Sequence, residues 1–490
     1  MKKNIKKIIC FLFVFITAFS VFAEGVDERR SIIEQLSNNS NSSSGNKYST
    51  AEGYARIEKD MASLTSLYKY IERNFLWDID YQKIYEAMAS AMFKSLDDRY
   101  SYYVTADESS DYMQRTTGKY GGIGIYFSKT NLQYQDKEDE STLYPYITQV
   151  FPASPADKVG LKAGDLILEI DGESTVSISP DDCAALMKGD ENTTVNLKIK
   201  RGELIFDVSP VRAIINVPSV TYGMVTEEIG YMMINQFYQQ TLNDLSDALT
   251  KLQNDGMKAL IIDLRDCVGG NVQATINIAN LFIKNADLLY VNYKDPSKSY
   301  SYKADSTLAL SSDIPIAILV NKNTASSAEI LSSAMRDNNR AVLIGTTTYG
   351  KGIMQAVSSY GTGNFSVTVA EFVPPSKTPI HKVGVEPDIV VDSIYIPSEQ
   401  KDAYLELSTS DLIPSFVKNH PDYTMENVQL FIDENADLEV NKEIIEVLVR
   451  NEYYRNMPAE NVPVADPWYD PQVKEAISYL NEKLSVNTNK

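Results

Sequence analysis

The chain has 490 residues, 43% of them hydrophobic, with 46 lysines and arginines against 66 aspartates and glutamates and a formal net charge of −20. That length holds several domains, and that composition is the composition of ordinary globular proteins, which excludes a disordered or fibrous chain. So acidic a surface repels nucleic acid and anionic headgroups, and two histidines in the whole chain leave no basis for a histidine-rich metal centre.

The chain opens with MKKNIKKIICFLFVFITAFSVFA: lysines, a 15-residue apolar run from Ile8 to Phe22, then the small residue Ala23. Residues 1–23 read as a secretory signal cleaved after Ala23, and the protein is expected to be exported to the periplasm or cell envelope. An uncleaved anchor competes with this reading, although the run falls short of the ~18 to 20 residues a spanning helix needs. No later segment reads as membrane-spanning. Four lysines leave with the leader, taking the net charge to −24, and so does Cys10. Cys183 and Cys267 remain, far apart and without the paired spacing of a zinc site, and a disulfide is not expected between them.

Residues 24–50 contain SNNSNSSSGN, too poor in apolar side chains to pack, and read as a flexible linker. Residues 51–115 form a helical region: Leu64, Leu67, Tyr68 and Ile71, then Ile84, Ala87, Met88 and Met92, recur at helical spacing. These amphipathic helices are expected to be packing elements. LDDRYSYY, residues 96–103, breaks the pattern.

Residues 116–213 change texture to short β-rich runs. In GKYGGIGIYF, Gly121, Gly122 and Gly124 let successive N–H groups turn toward one point, which suits a terminal carboxylate, and the strand Ile123 to Phe127 would offer its edge to an extended peptide. Gly121, Gly122, Ile123, Gly124 and Ile125 are therefore candidate tail-binding residues, although glycines also mark any tight turn. SPADKVGLKAGDLILEIDG, residues 154–172, follows with a turn, a short helix from Pro155, a stop at Gly160, a second turn at Ala163 and Gly164, and a strand ending at Asp171 and Gly172. The combination resembles a PDZ domain, a module that grips peptide carboxyl termini.

Residues 214–397 alternate strands with longer helices. The strand Ile229 to Phe237 precedes a leucine stripe at Leu242, Leu245, Leu249 and Leu252; ALIIDL, residues 259–264, has the length and apolarity of a buried parallel strand. A helix over Val272 to Ile283, the strand IPIAILVN, a helix from near Ser326 and the strand AVLIG follow. An open α/β core with parallel strands is the economical reading, and its chemistry belongs at the strand carboxyl ends, where RDCVGG, NKNTASS and TTTYGKG fall. Residues 398–490 are acidic, tyrosine-bearing and largely helical, with packing, dimerisation and control of access all open as roles.

Ser326 sits where a strand gives way to the helix SSAEILSSAM, so free N–H groups and the positive helix end surround its hydroxyl and favour an oxyanion. A plain helix cap is the competing role, and Ser327 is a rival nucleophile that local chemistry does not separate from Ser326. Lys351, between two glycines, could point inward; as a base it must be neutral, which burial promotes. Gln355 could hold that amine if the segment turns helically. Gly269 and Gly270 follow a strand directly, where a backbone N–H can be turned toward an oxyanion, or simply make a strand-to-helix turn. A Ser-His-Asp arrangement through His381 is the other option, but KTPIHKVGVEPD reads as an interstrand loop.

Ser326, Lys351 and Gln355 at gaps of 25 and 4 residues, RAVLIG before YGKG, DLRDCVGG, and GVEPDIVV together resemble the carboxyl-terminal processing peptidases, or tail-specific proteases. The similarity runs from about Leu96 to Val391, with WYDPQVKEAISYL resembling the end of many members. The resemblance implies a crotonase/ClpP-like α/β peptidase core of parallel strands and helices, a PDZ-like domain, and helical amino- and carboxyl-terminal regions. It implies Ser326 as nucleophile, Lys351 as base, Gln355 as support, and oxyanion donors from the backbone of Ser327 and of Gly269 or Gly270, with no metal and no organic cofactor. Partners would be proteins or peptides with apolar carboxyl-terminal tails, with a homodimer or an adaptor as further options. Two departures stand out: the family's T-A-S-A-S-E-I appears as TASSAEI, and Cys267 stands where many members have asparagine in N-x-G-G. A scaffold that kept peptide binding and lost catalysis is the alternative. An acyl-thioester enzyme of the crotonase-like fold would leave the PDZ-like module and the signal unexplained.

Overall fold

The computed structural model describes residues 51–129, 143–305, 308–457 and 461–488. The expected signal, 1–23, and linker, 24–50, lie outside the described residues. Contacts divide the chain into two units, one reaching to Ser109 and including Gln355–Thr368, the other made of Ser110–Met354 and Val369–Lys490.

The smaller unit holds helices α1 (Ala51–Asn74) and α2 (Tyr81–Lys94). Asp80 starts α2 by accepting the Lys83 N–H at 3.0 Å, relieving one of the unpaired donors of the first turn. LDDRYSYY ends the helical stretch, and Tyr102–Val104 becomes a strand antiparallel to Asn364–Ser366, with Phe365 stacked on Phe93 of α2 at 5.7 Å. The expectation that both helices are packing elements needs correction for α1, whereas α2 packs through Phe93 on Phe365 and Tyr85 on Tyr103. No residue of α2 is fully buried, and Ile57, Met61, Leu64 and Ile71 of α1 are exposed, because nothing described in this unit covers that stripe.

The larger unit contains a five-strand antiparallel path whose edge is β1 (Ile125–Ser128), followed by Tyr146–Val150, Leu166–Ile170, Leu197–Arg201 and Leu204–Val208. Ile123, Ile125, Ile147, Ile167, Leu197 and Ile199 fill its core with Cys183 and Met187 of the helix Pro180–Met187. The strand expected from Ile123 starts two residues later. Ile123 and Gly124 form a turn whose carbonyls accept the N–H groups of Ala156 (2.9 Å) and Phe151 (3.0 Å), and Gly124 has φ +81°, a region that strains any other residue. Gly121 and Gly122 belong to a separate strand, Lys119–Gly122, paired with Ala213–Asn216.

The core sheet runs Val220–Met224, β2 (Ile229–Ile234), β3 (Ala259–Asp263), β4 (Ile316–Val320), β5 (Val342–Gly345) and Ile389–Val390, parallel from β2 onward. Every residue of β3 and β4 is buried, as continuous apolar runs demand when both sheet faces are covered. Helix α3 (Ser327–Asp337) follows β4 and packs on β5 and on the helix Val272–Ala279. Helix α4 (Pro471–Thr488) sets Val473, Ala476 and Leu480 against Tyr231, Ile261 and Leu319, so the far end of the chain completes the core. An antiparallel ribbon of Asp287–Tyr293, Tyr300–Lys303 and residues 370–373 adds strands that the alternating reading lacks. Helices from Lys401 to Asn456 pack around Phe416, Phe431 and Tyr453 as a cluster of their own. Cys183 and Cys267 are buried free thiols, and among the described residues no helix is long and apolar enough to cross a membrane.

Candidate active site

The loops after β3 and β4 lie side by side because those strands are neighbours, and short polar bonds stitch them together. Thr324 Oγ1 donates to Leu264 O (2.8 Å), Ala325 N–H to Cys267 O (2.9 Å), and Asn323 Nδ2 to Asp266 Oδ1 (2.7 Å). A third loop joins when Tyr349 N–H donates to Thr324 O at 2.9 Å. RDCVGG, NKNTASS and TTTYGKG are thereby one cluster at the carboxyl ends of parallel strands, where open α/β sheets place their ligands.

Ser326 is the residue before α3, with φ 61° and ψ −114°. A serine at positive φ costs of order 1–3 kcal/mol, strain that recurs where a side chain is presented for a purpose. Its Oγ is buried and has no hydrogen-bond partner among the described residues, so it is not spent as a helix cap. Ser327 differs: its Oγ donates to Gly270 O at 3.1 Å. The two serines that sequence chemistry left equal are thus unequal in structure, one hydroxyl engaged and the other available.

Lys351 is 1% exposed, on a loop where Gly350 has φ +87° and a Cβ on Gly352 would lie 2.6 Å from the His381 backbone nitrogen. Residues 380–385 brace this loop: Lys382 N–H donates to Gly350 O (2.8 Å) and Val385 N–H to Thr348 Oγ1 (2.7 Å). It is the His381 backbone that abuts Gly352, in a turn, as the interstrand-loop reading anticipates.

The residue that ties serine to lysine is one the sequence reading passed over. Glu329, fully buried in the first turn of α3, accepts the Ser326 N–H (2.7 Å) and Lys351 N–H (2.8 Å) on Oε2, and the Gly350 N–H (2.7 Å) and Thr348 hydroxyl (2.5 Å) on Oε1. Burial pushes its carboxyl above the usual range, against the opposing pull of those four donors. Ser-x-x-Glu at a helix start is the capping-box spacing and was available as a signal.

Gly270 meets Phe237 in an isolated parallel bridge: Phe237 N–H donates to Gly269 O (2.9 Å) and Asn271 N–H to Phe237 O (2.7 Å). The Gly270 N–H takes no part in it. A Cβ on Gly270 would sit 1.9 Å from Phe237 O, so only glycine fits. Cys267 is fully buried; burial pushes its thiol up to about 12, with a hydrogen bond from the Gly269 backbone pulling the other way. The departure from asparagine therefore leaves a neutral sulfur beside the Gly269 amide. Arg265 anchors the start of this loop. It pairs with Asp263 (2.6 Å) and, across about two hundred residues of sequence, with Asp470 (2.7 Å) and Gln472 (3.1 Å) at the start of α4. Burial alone would lower the guanidinium's pKa, and the two carboxylates raise it instead.

Gln355 lies on the strand Ile353–Tyr360, so the helical turn that would set it four residues above Lys351 is not formed. By its packing it belongs to the smaller unit, fully buried, its Nε2 donating to Thr368 Oγ1 (3.1 Å), which in turn donates to Asp98 Oδ2 (2.6 Å). Of the expected tail-binding residues, Ile123 and Ile125 share the core beneath β1, and Gly121 approaches Gly189 so closely that a Cβ would lie 2.1 Å from its carbonyl oxygen.

The sequence profile of "Peptidase family S41" matches residues 228–391 and that of "PDZ domain" residues 146–201. A "Carboxy-terminal processing protease CtpA" of Bacillus subtilis (strain 168) is 31% identical over 369 residues, 75% of each chain. A "Probable CtpA-like serine protease" of Staphylococcus haemolyticus (strain JCSC1435) is 31% identical over 337 residues, a match covering 68% of this chain and 65% of that one, just under two thirds of the relative's length. Among solved structures, a "Photosystem II D1 C-terminal processing protease" shares 24% identity with a TM-score of 0.38, over 67% of this chain and 86% of that one.

Proposed function

We propose that this chain, which belongs to the carboxy-terminal processing proteases of peptidase family S41, is an exported serine endopeptidase that cleaves protein substrates near their carboxyl termini. The observation that carries the reading is the pair of serines: Ser326 presents a buried hydroxyl without a partner among the described residues at a strained φ, while Ser327 is tied to Gly270. One carboxylate, Glu329, grips the backbones of both Ser326 and Lys351.

In this reading neutral Lys351 takes the proton of Ser326 Oγ as it attacks the scissile carbonyl. The N–H groups of Gly270 and Ser327 hold the oxyanion, a role for which Gly270 is preferred over Gly269, whose amide faces the Cys267 sulfur. Lys351 then gives its proton to the leaving amine; Lys351, neutral again, takes a proton from the attacking water and passes it to Ser326 Oγ as the acyl group leaves. The exposed edge of β1 supports strand addition of an extended apolar tail to the PDZ domain.

The test incubates an unfolded protein ending in an apolar tail with the wild type and Lys351→Ala, in parallel with the same substrate ending in a carboxamide. Fragments from the free-carboxylate substrate alone, and none from Lys351→Ala, are expected. Equal cleavage by the lysine variant, with its fold intact, overturns the mechanism; equal cleavage of both tails overturns the recognition.

A further inference from the structure

A carboxylate is held by N–H groups but drawn by charge, and one charge beside the turn that precedes β1 has no counterpart. Ile123 and Gly124 are buried; their carbonyls take the N–H groups of Ala156 and Phe151, while their own N–H groups donate to no atom among the described residues. Buried donors without an acceptor are costly, so this turn is suited to receive one. The helix Pro180–Met187 ends against it: Gly189 N–H donates to Gly121 O at 3.1 Å, and a Cβ on Gly121 would lie 2.1 Å from Gly189 O. A helix carboxyl end is negative and leaves its last carbonyls unpaired, so by itself it would repel an anion held in the turn.

Arg212 reverses that sign. The register Gly121 to Ile214 and Gly122 to Ala213, continued by one residue, sets Arg212 opposite Ile123. Its Nε donates to Met187 O (3.1 Å) and its Nη2 to Leu186 O (2.8 Å), the last two carbonyls of the helix, while Nη1 donates to Thr194 O and Thr193 Oγ1, both at 3.1 Å. A Cβ on Gly189 would lie 3.0 Å from its Cδ and Nε. Arg212 is only 8% exposed, and every one of these acceptors is a neutral oxygen. Buried charges are ordinarily matched by an opposite one. Arg201 has Asp165 and Arg265 has Asp263 and Asp470, whereas no carboxylate among the described residues pairs with Arg212. Asp190 and Glu191 follow Gly189 in the chain but are exposed. Capping alone does not account for a buried charge, since N–H groups and water satisfy helix carbonyls as well. We infer that Arg212 supplies the positive charge that selects a free terminal carboxylate on the substrate tail, held by the N–H groups of Ile123 and Gly124. The role rests on the PDZ domain being the tail-binding element. It makes free chain ends preferred over internal apolar segments, and Arg212 a positioning residue that acts across the turn.

The test uses the full chain with Ser326→Ala, so that bound peptide is not cut, and a fluorescent peptide ending in Leu-Ala-Ala, prepared as the free acid and as the carboxamide. Anisotropy titrations should show the free acid bound about 10-fold or more tightly than the carboxamide. Arg212→Met in this background should cut that preference to about 2-fold or less while the carboxamide binds as before. Arg212→Lys, which keeps the charge and loses the fork, should retain most of the preference. A cap without an electrostatic role would weaken both peptides alike and leave their ratio unchanged, and that result in folded Arg212→Met would overturn the inference. Should Arg212→Met fail to fold by its melting curve, the lysine variant decides: a kept preference supports the charge, and its loss in folded protein overturns it. No preference in the Ser326→Ala background would instead overturn tail recognition itself, and the role of Arg212 with it.

Discussion

Replacing Glu329 by glutamine leaves the size and shape of the side chain unchanged and alters one atom. The carboxylate offers two oxygens, each receiving two donors: Thr348 and Gly350 on one, Ser326 and Lys351 on the other. A carboxamide offers one oxygen and an NH2 group, so whichever way it turns, one pair of donors faces another donor. Each buried donor left without an acceptor costs about 1–3 kcal/mol, so the substitution should destabilise by about 2–6 kcal/mol, a large share of a typical stability of ~5–15. If the glutamine oxygen keeps Thr348 and Gly350, the Ser326 and Lys351 backbones lose their common anchor. A displacement of about 1 Å between reacting groups costs on the order of 100-fold in rate. Calorimetry and steady-state kinetics on a tailed peptide measure both effects, with the fall expected in kcat more than in KM. A folded Glu329→Gln protein with wild-type melting and wild-type kcat would refute the reasoning.

Other substitutions probe the surrounding loops. Gly270→Ala puts a Cβ 1.9 Å from the Phe237 carbonyl, so the loop must move, and turnover should fall at least about 100-fold even in protein that remains folded by circular dichroism. Asp470→Asn removes one of two carboxylates from half-buried Arg265 and should cost about 1–3 kcal/mol in urea unfolding, with turnover falling as well because Arg265 opens the RDCVGG loop. The Cys267 thiol has its pKa raised to about 12 by burial, whereas an unfolded thiol ionises near ~8.5. Between those values the native state keeps a proton that the unfolded state has lost, so stability is complete below about pH 8.5 and falls as pH rises toward 12. Urea unfolding at pH 8 and pH 10 should show that fall in the wild type and a smaller one in Cys267→Ser.

Much of this was legible in the chain. Continuous apolar runs such as ALIIDL announce buried parallel strands, and adjacency of β3 and β4 makes neighbours of loops some sixty residues apart. The family resemblance implied Ser326 rather than Ser327 as the partner of Lys351; local chemistry could not make that choice, because the backbone angle and the hydrogen bond that set the two serines apart are carried by no residue identity. Glu329 escaped because a glutamate in a helix reads as a solvated charge until burial and its four donors are seen. Gln355 was read as able to hold the Lys351 amine only if its segment turned helically, since the residues around it suit several conformations; pairing with Gly363–Val373 makes it a strand. Asp470 could not be linked to Arg265 by local pattern at all. The stripe of α1 was visible at helical spacing, and what sequence could not say was that its own unit leaves the stripe uncovered.

The central claim is that Ser326, and not its neighbour, is the nucleophile. The most direct measurement compares Ser326→Ala and Ser327→Ala, each shown to be folded by its melting curve, for cleavage of one unfolded, apolar-tailed protein followed by mass spectrometry. Loss of all fragments with Ser326→Ala, and retained cleavage at a reduced rate with Ser327→Ala, is the predicted result. A folded Ser326→Ala protein that still cuts, or a Ser327→Ala protein that alone is inert, would contradict the account.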